Sequence, residues 1–158
     1  GEALEPALAA YIVAEACAGL HAAHEQGVVH RDVSPQNLFV TFGGAVKVLD
    51  FGIAHSQDRV TRTEAGQVKG KLDYMSPEQV SSRPLDRRSD VFALGVVLYE
   101  LLTLRRLFKR GTPLATLKAI LDEPVLPPSR LNEHCTPALE QACTRALARA
   151  ADERTASA

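Results

Sequence analysis

Cysteine is scarce. The 158-residue chain has three, Cys17, Cys135 and Cys143, odd in number and far apart. That excludes a disulfide framework or a zinc knuckle, and a reducing compartment suits it best. Neither sign of charge is in excess: 18 Lys and Arg stand against 19 Asp and Glu, for a net charge of −1. Composition therefore gives no reason to expect nucleic acid or an anionic membrane as a partner. The longest apolar run, 91–98, is far too short to cross a bilayer. No signal peptide, internal repeat or low-complexity stretch is visible. The one glycine-lysine run, 66–71, is a residue short of a P-loop and leads into Leu72 rather than Ser or Thr. What remains is ordinary globular composition, 46% hydrophobic and 23% charged, over one domain's length.

The chemistry concentrates in His30-Arg31-Asp32-Val33-Ser34-Pro35-Gln36-Asn37 and the later Asp50-Phe51-Gly52. Between them Leu38, Val40, Val46 and Val48 alternate at period two around Gly43-Gly44, which predicts a short hairpin. A hairpin brings its ends together, so Asp32, Asn37 and Asp50 are expected at one mouth. Carboxylate and amide oxygens suit Mg²⁺, which keeps waters and takes further ligands from phosphate. A second carboxylate beside them can orient a hydroxyl and accept its proton.

At these residues the chain resembles the eukaryotic-type Ser/Thr protein kinases of bacteria, whose catalytic loop reads H-R-D-L-x-x-x-N and whose metal-binding turn reads D-F-G. Val33 replaces the Leu; Ser76-Pro77-Glu78 is similar to A-P-E, and 89–95 to the buried helix start that follows it. The resemblance implies ATP and Mg²⁺ as cofactors and a protein as substrate. It assigns Asp32 to the substrate hydroxyl and Asn37 and Asp50 to the metal. Arg31 would pair with a phosphorylated activation-segment residue, and His30, Phe51 and Gly52 would form scaffold. Phe39 is either adenine floor or ordinary strand core. Asp90 is expected to hold the catalytic-loop backbone, or else to cap its own helix. Glu78 is expected to pair with Arg154, in a stretch that loosely resembles the family's Asp-Pro-x-x-Arg-Pro. Ser34 stands where these kinases usually carry Lys. Lys71 stands where they carry Thr, so Lys71 either restores the missing ammonium from the opposite side or is a solvated loop residue. Thr61 and Thr63 are the phosphosite candidates, and the sequence does not choose between them.

The expected fold is α+β, mainly α: the larger C-terminal kinase lobe, with the N-terminal lobe's Gly-rich loop, ATP-pairing Lys and helix Glu absent. The boundaries are a helix over 6–26, then the catalytic loop, hairpin and Asp-Phe-Gly turn over 28–52. An activation segment over 53–78 and a helical subdomain over 79–158 follow. Pro6 and Gly27 bracket the first helix, with Leu8, Tyr11, Ile12, Ala16, Gly19, Leu20 and Ala23 as its apolar set. His21 and His24 lie near its end with no third metal ligand apparent. A cap at Ser89 should open a helix over 90–102 that is buried on every side. Thr112-Pro113 and Thr136-Pro137 start two more. Leu114, Leu117, Ile120 and Leu121 would face inward on one, Leu139, Cys143, Ala146 and Leu147 on the other. Gly1 in place of Met leads us to expect a piece of a longer chain, inactive alone. The expected partners are the missing lobe, a protein substrate and a second copy for autophosphorylation. The location would be cytoplasmic, with any membrane anchor outside this segment. A binding module or pseudokinase is the alternative, favoured by Ser34 and opposed by the retained Asp32, Asn37 and Asp50.

Overall fold

The computed structural model describes residues 4–51 and 72–158. The first helix, α1 (Pro6–Glu25), begins with Pro6 in its first turn and ends before Gly27, whose φ of +74° suits a residue without a Cβ. Its buried stripe is Ala9, Val13, Ala16, Leu20 and His24. The expected face is corrected here, since Leu8 and Tyr11 are half exposed while smaller residues pack inward. Among the described residues, α1 alone is long and apolar enough to cross a membrane by length and composition, which a search for unbroken apolar runs does not reveal. In this fold it packs along the central helix.

A 3-10 turn (Pro35–Asn37) leads into β1 (Leu38–Val40), which pairs antiparallel with β2 (Val46–Val48) in the register Leu38 with Val48 and Val40 with Val46. Gly44 takes φ +85° in the turn, and the Tyr11 hydroxyl donates to its carbonyl at 3.1 Å, tying the hairpin to α1. Leu38, Val46 and Val48 pack against Ala16, Leu20, Val33, Ala93 and Leu94. Phe39 lies opposite Lys47 and is 54% exposed, so it is not strand core.

A 3-10 turn (Leu72–Tyr74) and the short α2 (Pro77–Val80) precede the central α3 (Arg88–Thr103). Ser89 through Tyr99 are buried without a break, so α3 has no solvent face over that length. Its start lies earlier than expected. The Asp86 carboxylate accepts from Arg88 N at 2.8 Å, and Ser89 is inside the helix with its hydroxyl used elsewhere. Helices α4 (Pro113–Asp122) and α5 (Pro137–Ala146) begin at Thr112 and Thr136, whose side chains accept from Ala115 N and Leu139 N as N-caps. On α4 the buried residues are Thr116, Ala119 and Ile120, whereas Leu114 is 77% exposed, which rotates the expected face. On α5, Cys143 is fully buried and burial pushes its thiol up to about 12, the behaviour of a small apolar residue.

Helices α3 and α5 meet at Gly95. A Cβ there would stand 2.8 Å from Ala146 Cβ and 3.3 Å from the Ala146 backbone carbon, closer than side chains approach. Gly95→Ala is therefore expected to destabilise the fold by about 1–3 kcal/mol despite its better helix propensity. The check is the denaturation midpoint of the native-length protein; an unchanged midpoint would mean that the two helices part freely.

Candidate active site

The 30–37 loop has little regular structure of its own, and its geometry is imposed from beneath. Asp90, in the first turn of α3 and 1% exposed, accepts from His30 N at 2.8 Å through Oδ2 and from Arg31 N at 2.8 Å through Oδ1. His24 Nε2 lies 2.8 Å from the same Oδ2. A buried acid needs its oxygens satisfied, and here three groups from α1 and the loop do so. The backbone so held is unusual: Arg31 has φ +67°, a left-handed conformation rare for a side-chain-bearing residue. Gln79 donates to the Arg31 carbonyl at 2.8 Å from the other side. Asp90 thus holds the loop backbone and is not a helix cap.

His30 is fully buried and works as a post between two strands of chain. Its Nδ1 accepts from Asp32 N at 3.2 Å, which leaves Nε2–H to donate to the Leu49 carbonyl at 2.9 Å. Its ring also lies 4.7 Å from that of Phe51, so apolar contact and hydrogen bonding join the loop to the turn after β2. Leu49 N donates to the Asn37 carbonyl at 2.8 Å, closing the hairpin's open end. Asp50 follows directly, also left-handed with φ +55°.

Asn37, 4% exposed, donates through Nδ2 to the Asp32 carbonyl at 2.7 Å and to Asp32 Oδ2 at 3.2 Å. Two acceptors on one side fix the amide's orientation and leave Oδ1 as an oxygen donor for a cation. No group of three or more His, Cys, Asp and Glu suited to a metal exists among the described residues. The amide oxygen of Asn37 with the Asp50 carboxylate fits Mg²⁺, which needs few protein ligands beside water and phosphate, better than Zn²⁺ or Ca²⁺. A small cleft beside Asp32, with room for about one water, is walled by Val33, Tyr74, Met75 and Gln79 and floored by Ser89, Asp90 and Ala93 of α3. Ser34 is 1% exposed, its Oγ has no hydrogen-bond partner among the described residues, and its hydroxyl carries no charge. Gly52, Thr61, Thr63 and Lys71 lie outside the described residues. His21 Nδ1 lies 2.7 Å from Ser157 Oγ, and with His24 on Asp90 the two histidines have separate partners.

Below the loop, α2 opens with a capping box: Ser76 Oγ accepts from Gln79 N, and Gln79 Oε1 accepts from Ser76 N at 2.9 Å. Glu78 takes a bidentate pair from Arg154, Nη1 to Oε1 at 2.6 Å and Nη2 to Oε2 at 2.8 Å, and the Ser89 hydroxyl at 2.7 Å. The other donors of Arg154 go to the carbonyls of Arg88, Ala148 and Arg149, so all of its N–H groups are satisfied at 3% exposure. Burial opposes the charged Glu78, but the bonds from Arg154 and Ser89 outweigh it and hold its carboxyl below the usual range.

Sequence reasoning takes Ser89 for a helix cap and leaves His24 without a role; it gives no signal for Gln79 or for the ion pair of Asp73 with Arg106.

A protein kinase domain family matches residues 1–156. The chain is 46% identical over 151 residues to Tyrosine-protein kinase MasK of Myxococcus xanthus, covering 90% of this chain and 23% of that protein. It is 41% identical over 155 residues to Serine/threonine-protein kinase PknB of Mycolicibacterium smegmatis, covering 96% and 24%. A probable serine/threonine-protein kinase of Corynebacterium efficiens is 42% identical over 134 residues, covering 84% and 20%. The chain spans about a quarter of the length of these curated relatives.

Removing Arg154 would leave Glu78 largely buried with the Ser89 hydroxyl but no cation, so Arg154→Met is expected to cost about 3–5 kcal/mol in denaturation. The pair also sets an acid limit. With its folded pKa lowered, Glu78 contributes fully above its ordinary value of 4.5, and the contribution is lost as pH falls through the folded value. Melting temperature should therefore fall more steeply in acid for the wild type than for Glu78→Gln, which is already weaker at neutral pH; parallel curves would refute this.

Proposed function

The chain belongs to the protein kinase domain family, and from that membership we propose that it performs Mg²⁺- and ATP-dependent phosphoryl transfer to Ser and Thr hydroxyls of protein substrates. The observation that carries the reading is the Asp32–Asn37 contact on a loop pinned by Asp90. Asp32 accepts the proton of the acceptor hydroxyl as that oxygen bonds to the γ-phosphorus of ATP and the bond from that phosphorus to the bridging oxygen breaks, with ADP as the leaving group. Asn37 orients the Asp32 carboxylate through Nδ2 and presents Oδ1, with Asp50, to the metal. When bound, Mg²⁺ neutralises the phosphate charge that builds during transfer.

Relatives' names divide between tyrosine and serine/threonine kinases. Pro35 supports the Ser/Thr branch, since by resemblance tyrosine kinases carry Ala and Arg combinations there. A smaller lobe supplying the Gly-rich cover and the phosphate-pairing Lys completes the nucleotide site in this reading, and the domain works in the cytoplasm. Phosphate on Thr61 or Thr63 pairs with Arg31, and a second copy of the kinase is the partner for autophosphorylation. Buried Ser34 cannot neutralise the transferred group, so Lys71 supplies the ammonium. A binding-module reading is favoured by one observation, the missing cation at position 34, and it predicts no transfer.

The test uses the native-length protein, labelled ATP, Mg²⁺ and a protein acceptor. Asp32→Asn is expected to lower kcat by about 10²–10⁴-fold, and Asp50→Asn to abolish transfer. Label should appear on Ser or Thr. Label on Tyr would move the protein to the other branch, and no transfer by folded wild type would favour the binding module. For the cation, Lys71→Ala should reduce kcat sharply while Lys69→Ala does little; equal and mild effects would remove Lys71 from the site.

A further inference from the structure

Asp73 and Glu100 bring two carboxylates to one largely buried place beneath the 72–75 turn. Asp73 is 1% exposed, and the side chain of Glu100 is 11% exposed. Among the described residues one guanidinium faces both. Arg106 donates through Nη2 to Asp73 Oδ2 at 2.7 Å, and its Nε lies 3.3 Å from Glu100 Oε1. The same guanidinium lies over the Tyr74 ring, 5.1 Å from its centroid. Tyr74 donates its hydroxyl to Glu100 Oε2 at 2.8 Å, and Leu107 N donates to Oε1 at 3.3 Å. Arg106 reaches this position because α3 ends in a left-handed Leu104, φ +54°, while Phe108 beyond it is buried and stacked on Phe92. Tyr74 and Met75 are also walls of the cleft beside Asp32.

We propose that Arg106 is a positioning residue of the acceptor side of the site: shared between Asp73 and Glu100, it holds the Tyr74–Met75 wall against the end of α3. The pairing with catalysis rests on the phosphotransfer reading; the clamp rests on geometry alone. Burial, first, and then Asp73 hold the Glu100 carboxyl above its usual range although Tyr74, Arg106 and Leu107 oppose this. The other element packed on the turn, α4, carries Lys118 and Asp122 at exposed positions. Without Arg106 the two acids repel unless one holds a proton. The wall should then stay in place at low pH and be lost as pH rises through the further raised carboxyl pKa.

The experiment follows kcat/KM for a protein acceptor, KM for ATP and melting temperature between about pH 5.5 and pH 8.5 in the native-length protein. Arg106→Leu is expected to lose about tenfold in kcat/KM at the alkaline end, approach wild type at the acid end and leave KM for ATP unchanged. Adding Glu100→Gln to Arg106→Leu should restore most of the loss, since Gln still accepts the Tyr74 hydroxyl without charge. A loss equal at every pH, or no restoration by Glu100→Gln, overturns the proposal. If wild type transfers no phosphate, the phosphotransfer reading fails, and the melting curves decide the clamp. An Arg106→Leu melting temperature that drops with rising pH and recovers with Glu100→Gln supports it; a uniform drop overturns it.

Discussion

A single acid side chain, Asp90, sets the conditions under which the rest of this lobe can exist. Taking a carboxylate out of water costs several kcal/mol unless its oxygens are well satisfied. No group on α3 itself meets that need. The donors are His30 N, Arg31 N and His24, all from the first third of the chain. The requirement runs in both directions. The loop gains a fixed backbone in a left-handed conformation that it would not hold unaided, and α1 is drawn against α3 to bring His24 within reach. His24 Nδ1, buried with no hydrogen-bond partner among the described residues, is the residual cost of that arrangement.

A second, largely buried acid repeats the logic one layer down. Glu78 ties α2 to the end of the chain through Arg154 and to α3 through Ser89. Gln79, next to it, completes the capping box and reaches the Arg31 carbonyl. The loop that presents Asp32 is therefore held from below by one anion and from the side by the neighbour of another. The hydrophobic core around Phe92, Val96 and Leu102 provides the burial that makes both anions demanding.

Much of this was legible in the sequence because it is written locally. Thr112-Pro113 and Thr136-Pro137 state helix starts, alternating Leu38, Val40, Val46 and Val48 state a hairpin, and the 30–37 and 76–78 motifs state their chemistry. The illegible part is relational. Leu8, Tyr11 and Leu114 are apolar and correctly spaced, but the neighbours that decide which face turns inward belong to distant elements: α1 turns Ala9 and Ala16 inward, where it packs along α3, and α4 turns Ala119 inward beside the 72–74 turn. Ser89 has the composition of a cap, yet Asp86 takes the exposed amide and frees the hydroxyl for Glu78. Asp73 and Arg106 look like solvated charges until the fold brings them together across 33 residues. Phe39 reads equally as adenine floor or as strand core, and only the second is excluded by its exposure, because among the described residues nothing covers that face of the hairpin.

The Glu78–Arg154 latch also imposes an order of events during synthesis. The two residues are 76 positions apart, so Glu78 leaves the ribosome well before Arg154, its bidentate partner, exists. At ordinary elongation speeds the interval is roughly 4–15 s, long compared with helix and hairpin formation. Throughout it, α2 carries an acid suited to burial with nothing to receive it. The lobe's lower half is therefore completed last, by the C-terminal turn. A nascent chain can build α1, the hairpin and α3 around Asp90 while α2 still lacks its anchor.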